Sequence, residues 1–225
     1  MFTTKAVRLV LAASLVISAW TYAADDGIGS VKKPVVIPKL ADKISVDGDP
    51  ADWAKIKALP APFAKKDEGA LKLAWADDGL YGCLQAKDAK IAVDEENPWS
   101  SDCIELFIDS DNGHKDEMTE KSFQIAIAPN PAKGAGKGIV VVPQGSAAPD
   151  KIESKWKPVE GGYVLEFFIP ATQLKLTPKE GADIGFNYAI DDVDGKGVVE
   201  QFYSDKDTDD GYKTPKSWGA IKLGK

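Results

Sequence analysis

The chain has 225 residues, 35 of them acidic against 28 basic, for a net charge of -7, with lysines scattered among the acids. A phosphate backbone needs a clustered basic surface, so this composition argues against nucleic acid and leaves neutral or cationic ligands open. One histidine and two distant cysteines argue equally against zinc.

The N-terminus reads as an export signal: Lys5 and Arg8, an apolar run from Leu9 to Trp20, then Thr21-Tyr22-Ala23 as a small-x-Ala cleavage site. A leader over residues 1–23 is therefore expected, and with it a secreted or periplasmic protein. A membrane anchor is the alternative, but the run is about a dozen residues where roughly 20 are needed, and no later segment is apolar enough to span. The mature chain of roughly 200 residues suits one domain with a substantial core.

Residues 24–39 form a polar, proline-bearing lead-in, and the domain is expected over 40–225. Ile44-Ser45-Val46 is predicted as a short strand entering the Asp47-Gly48 turn, with Ala51-Asp52-Trp53 starting a helical turn. Period-two alternation follows. Leu71 to Trp75 and Leu80 to Ala86 are predicted as a hairpin joined at Asp77-Asp78-Gly79. Further strands are predicted at Cys103 to Asp109, Ser122 to Ala128, Gly138 to Val142, Gly162 to Ile169, Ala182 to Asp191 and Gly219 to Leu223, and a turn at Ala171 to Leu174. The run Lys133 to Gly138 lacks the spacing and hydroxyl residue of a phosphate loop and reads as a hairpin connection. Many short strands between turn clusters imply an all-β fold, an antiparallel β-sandwich of jelly-roll or immunoglobulin-like kind. Glu166, in an otherwise apolar strand, reads as solvent-facing. Cys83 and Cys103 lie off the aliphatic faces of strands expected to be neighbours, which leaves both a cross-strand disulfide and two buried free thiols open.

The segment Pro98 to Asp109 carries the chemistry. In a strand Cys103, Glu105, Phe107 and Asp109 share one face, and Ile104, Leu106 and Ile108 share the core face. Sugar rings stack their C–H faces on indole and give their hydroxyls to charged acceptors, so Trp99 and Glu105 suit a glycan. They share one ligand only if Pro98 to Ser101 bends. The other reading of Trp99 is a partly buried structural tryptophan.

Taken with Ile44 to Trp53, Trp75, Leu80-Tyr81, Tyr163 to Pro170, Ile184 to Asp194 and Ser217 to Leu223, this segment resembles carbohydrate-binding module family 9 and its DOMON-like superfamily over nearly the whole mature chain. The resemblance implies a non-catalytic β-sandwich that holds a sugar between two aromatic rings. It also implies a role in xylan- or cellulose-type polysaccharide binding or breakdown, a glycosidase partner and structural calcium. Trp99 matches the first ring and Glu105 the acidic sugar ligand. Tyr203, with Phe202 as fallback, falls where the second ring belongs, and Gln124 matches a polar ligand. Ala126 stands where the family has a second polar ligand.

For the calcium, Asp109-Ser110-Asp111 and Asp191-Asp192-Val193-Asp194 collect the oxygen donors that this ion prefers, although each is also an ordinary Asp-Gly turn. For catalysis, no Gly-x-Ser-x-Gly segment occurs, and nothing selects one pair among the many carboxylates. A haem-binding electron-transfer domain, the DOMON-like alternative, would have to take His114 and Met118 from one short insertion as ligands on opposite haem faces. A ligand-free structural domain of the envelope is the remaining alternative.

Overall fold

The computed structural model describes residues 34–59, 69–193, 199–203 and 212–225, the segment 199–203 by its backbone pairing alone. The predicted alternation builds strands β1 (Val35–Ile37), β2 (Gly69–Ala76), β3 (Gly79–Lys87), β4 (Cys103–Asp109), β5 (Ser122–Ala128), β6 (Gly136–Lys137), β7 (Ile139–Gln144), β8 (Glu153–Val159), β9 (Gly162–Pro170), β10 (Asp183–Val193), β11 (Val199–Tyr203) and β12 (Gly219–Leu223). They form two sheets. One runs β1-β12-β10-β4-β5-β7 with β11 also on β10, and the other runs β2-β3-β9-β8-β6. Among the described strands every pairing is antiparallel except β1 with β12. The expected all-β sandwich is the fold.

Between the sheets, Ile104, Leu106, Ile108, Phe123, Ile125, Ile127, Phe186 and Tyr188 of one meet Leu71, Leu73, Trp75, Leu84, Leu165, Phe167 and Ile169 of the other. Each such side chain contributes about 1.5–3 kcal/mol on leaving water. Gly82 sits opposite Phe167 across β3 and β9, and a Cβ there would meet the Phe167 ring at 2.0 Å, so a glycine lets that ring cross the strand.

β10 is long enough to pair twice along one edge: Asp183 to Phe186 with β12, then Ala189 to Val193 with β11. Its other edge is given to β4 from Gly185 to Asp191. β4 is thereby the middle of the seven-stranded sheet.

Four expectations are corrected. Ile44 to Val46 forms no strand; the backbone N–H groups of Asp47 and Gly48 donate instead to the Glu166 carboxylate at 2.9 and 2.6 Å. Glu166 is accordingly buried rather than solvent-facing. The sandwich begins within the lead-in, because β1 pairs with β12 and Ile37 is a core residue. The strands of Cys83 and Cys103, expected to be neighbours, are β3 and β4 of different sheets, and of the two readings left open for the cysteines the structure has two buried free thiols. Each cysteine packs on the outer side of its own sheet, Cys83 with Trp53, Ala74, Tyr81 and Val164, and Cys103 with Ala126 and Ala128.

Candidate functional site

Because opposed residues of paired strands share a face, the registers assemble the outer surface of the seven-stranded sheet row by row. Glu105 lies between Ala126 of β5 and Ala189 of β10, with Val141 of β7 beyond Ala126 and Tyr203 of β11 beyond Ala189. In the next row Phe107 lies between Gln124 and Asn187, with Gln144 beyond Gln124. The structure thus brings Glu105 and Gln124 together, and Gln124 Nε2 donates to Glu105 Oε1 at 2.5 Å. Tyr203 takes a position in the Glu105 row and Phe202 pairs with Ile190; the side chains of both lie outside the described residues.

Trp99 reaches this face from a 3-10 turn over Pro98–Ser100. The bend required of Pro98 to Ser101 is present and is held by its own polar groups. Ser101 Oγ donates to the Pro98 carbonyl at 3.0 Å and accepts from Asp94 N at 2.9 Å. Asp94 Oδ1 accepts from Glu96 N and Asn97 N, each at 2.9 Å, and these backbone bonds draw its carboxyl below the usual range against the effect of burial. The half-buried Trp99 packs against the cluster of Cys103, Ala126 and Ala128, as do Val93 and Ile139. Ala126, which offers no hydrogen bond to a sugar, is a small residue of that cluster, paired across the strands with Glu105.

Asp102 anchors the other side of this loop. Its Oδ2 accepts from Ala92 N, its Oδ1 from Val193 N at 2.7 Å, and its own N–H donates to Ala92 O at 2.9 Å. Burial pushes its pKa up to about 7; the two backbone donors pull against that rise, and the Asp88 carboxylate beside it adds to it. In the unfolded chain the group ionises near 3.8. Folding therefore takes up a proton between those values, so this group's contribution is full below about pH 4 and is lost as pH rises to about 7. In denaturant unfolding across pH, Asp102→Asn is expected to remove that part of the slope; a slope equal to that of the wild type would show that Asp102 is not its source.

Sequence reasoning missed two residues of this face. Gln144 Nε2 donates to Gln124 Oε1 at 3.0 Å and to the Tyr212 carbonyl at 3.1 Å. Tyr212 is 40% exposed, an unusual exposure for a large aromatic among the described residues. Its segment is fixed by Thr214 Oγ1 donating to Lys115 O at 3.0 Å and by the 2.5 Å ion pair of Lys216 with Asp116. Behind it Trp218 packs on Phe107 at 5.8 Å between ring centres, with Ala189 and Met118 in the same cluster. An aromatic far along the chain from any ligand strand gives no signal in sequence beyond its type.

The acidic turns do not converge. Asp109 is buried and staples its own turn, accepting from His114 N at 3.0 Å, while exposed Asp111 pairs with Lys121 at 3.3 Å. Asp191 accepts from Cys103 Sγ at 3.2 Å on the outer face, and its neighbour Asp192 belongs to the alternate face of β10. Asp194 lies outside the described residues. Among the described residues no three acidic, cysteine or histidine side chains come together as a metal site. His114 and Met118 are likewise engaged locally, His114 Nε2 with Asn112 Oδ1 at 2.9 Å and Met118 against Phe107 and Trp218.

The comparisons agree with this architecture. Two solved structures of a carbohydrate binding module family 9 from Caldicellulosiruptor kristjanssonii match with a TM-score of 0.70. The cellotriose complex is 18% identical over 84% of this chain and 93% of its own, and the glucose complex 19% identical over 85% and 96%. Among curated proteins, endo-1,4-beta-xylanase A of Thermotoga maritima is 28% identical over 163 residues, 71% of this chain, and exoglucanase XynX of Acetivibrio thermocellus is 26% identical over 157 residues, 68% of this chain. In each case the match spans 14% of the relative's length. The family model for carbohydrate family 9 binding domain-like proteins matches residues 49–225. The chain belongs to that family, and it does so as a binding domain rather than a catalytic one.

Proposed function

We propose that the outer face of the seven-stranded sheet binds a β-linked glucose or xylose oligosaccharide, with one ring against Trp99 and its hydroxyls on Glu105 and Gln124. The observation that carries this reading is that Trp99 packs on the outer-face cluster of Cys103, Ala126 and Ala128, of which Ala126 is paired across the strands with Glu105, itself hydrogen-bonded to Gln124. Tyr212 is the exposed aromatic joined to the same polar chain through Gln144, and it supplies the opposing wall. Glu105 is 1% exposed, so a sugar hydroxyl reaches it only as the groups over it move aside.

The xylanase and exoglucanase relatives, and the cellotriose and glucose bound by the similar structures, support the choice of sugar. The same enzyme relatives support work alongside a glycosidase, and export rests on residues 1–23 as a leader, with its apolar run from Leu9 to Trp20 and the Thr21-Tyr22-Ala23 cleavage site. No helix among the described residues is long and apolar enough to cross a membrane.

Isothermal titration of the purified domain with glucose, cellobiose, cellotriose, xylobiose and soluble xylan tests the reading. Saturable heat with at least one of them is expected; none with any, from folded protein, would refute it and favour a structural envelope domain. Calcium is read by thermal unfolding with the ion and with chelator. A midpoint raised by calcium would support a structural ion, with Asp109, Asp111 and the turn of Asp191, Asp192 and Asp194 as its candidate ligands, and coincident curves would refute it.

A further inference from the structure

We propose that Gln144 is a positioning residue of the sugar site: it fixes which way the Gln124 amide points and ties that amide to the Tyr212 wall. The inference rests on the sugar-site reading above and adds a residue to it.

A glutamine amide has one face that donates and one that accepts, and which is which follows from its partners. Here the partners leave no choice. The Tyr212 carbonyl only accepts, so the Gln144 group 3.1 Å from it is the donor Nε2. The same Nε2 lies 3.0 Å from Gln124, which therefore presents Oε1 to it. Gln124 Nε2 is left to donate to Glu105 Oε1 at 2.5 Å. One obligate acceptor, the Tyr212 carbonyl, therefore sets both amides in turn, and Gln144 spends both of its N–H bonds doing so.

The backbone shows how Gln144 comes to stand there. β5 and β7 are in register from Ala128–Ile139 to Ala126–Val141, and then the register shifts, so that Gln124 pairs with Gln144. Two residues on β5 are matched by three on β7, which is a bulge, and Pro143, which has no N–H for the ladder, lies within it. Without the extra residue, Gln144 would alternate to the opposite face from Val141; with it, Gln144 joins the face of Gln124 and Glu105. Gln144 is half-buried, and its side-chain amide makes both of these hydrogen bonds.

Gln144→Glu keeps the shape and removes the donors. A carboxylate at that position would draw the Gln124 NH₂ toward itself and turn the Gln124 carbonyl toward Glu105. Two readouts test this, one of them free of sugar. In side-chain ¹H–¹⁵N spectra of the unliganded domain, the Gln124 amide resonances are expected to move in both Gln144→Glu and Gln144→Leu; unchanged Gln124 resonances would overturn the proposal. In calorimetry with cellotriose, each variant is expected to bind about tenfold more weakly than wild type at an unchanged unfolding midpoint. Gln124→Ala with Gln144→Leu is expected to lose no more than Gln124→Ala alone. Losses that simply add would overturn the proposal by showing that Gln144 does not act through Gln124. If the wild type itself gives no heat with cellotriose, the sugar-site reading fails in that arm, and the spectra alone decide whether Gln144 sets the amide.

Discussion

Trp99→Ala is expected to weaken binding of a cello-oligosaccharide by about 30-fold or more, the effect of removing an aromatic hot spot worth about 2 kcal/mol. The loss is large because the indole supplies the apolar face of the site, while Glu105 and Gln124 supply only directed hydrogen bonds. A pyranose held by those alone gives up its contact area but still has to lose its bound water. The variant is expected to fold. The turn from Asp94 to Ser101 is held by Ser101, Asp94 and Asn97 through bonds that do not involve the indole. The Asp102 carboxylate meanwhile fixes Ala92 and Val193 on either side. Calorimetry paired with a thermal melt reads both halves of this expectation. Retained affinity would make Trp99 a structural tryptophan, and an unfolded variant would show that the indole holds the loop.

Glu166→Ala is expected to be the most destabilising single change on the other face, by about 3 kcal/mol or more. Glu166 Oε2 accepts from Asp47 N and Gly48 N, and its Oε1 accepts from Trp53 Nε1 at 2.8 Å. Removing the carboxylate leaves the buried donors of Gly48 and Trp53 without an acceptor, each such loss costing about 1–3 kcal/mol, and frees the part-buried donor of Asp47 as well. Burial pushes the Glu166 pKa up, and the same three donors pull it down. Lys72 Nζ donates to Trp53 O at 2.7 Å beneath the same segment, so Trp53 is held from both ends. Gly48, at φ +83, turns the chain so that successive N–H groups meet one carboxylate. Exposed Glu153 on neighbouring β8 is the control, its replacement expected to stay within about 0.5 kcal/mol. Urea unfolding decides: a Glu166→Ala loss below about 1 kcal/mol would show that the clamp contributes little.

These two faces explain what could be seen in the sequence and what could not. The alternation of Cys103 to Asp109 was enough to place Ile104, Leu106 and Ile108 in the core and Glu105 on the opposite face, and the strand bounds there and at Ser122–Ala128 and Gly219–Leu223 match those predicted. Alternation says that two faces differ; it does not say what covers the outer one. Glu166 has the same pattern as Glu105, and its burial depends on a segment 113 to 119 residues earlier in the chain. The same distance problem hid Tyr212 and Gln144, since the bulge that turns Gln144 onto the site is a property of a strand pair and not of either strand. β8 went unpredicted because Glu153, Lys155, Lys157 and Pro158 mask an alternation carried by Ser154 and Trp156 alone. The expected adjacency of the cysteine strands failed for a related reason: each cysteine faces outward on its own strand, but the strands are in different sheets.

The claim that the outer face of the seven-stranded sheet is the binding surface is tested most directly by titrating cellotriose into ¹⁵N-labelled domain and mapping the shifts. The account predicts movement of the Trp99 indole and of the backbone and side-chain amides at Glu105, Gln124, Gln144 and Tyr212, with Gly48, Trp53 and Glu166 still. Shifts centred on that second group, or a saturable titration that leaves Trp99 and Gln124 unmoved, would contradict it.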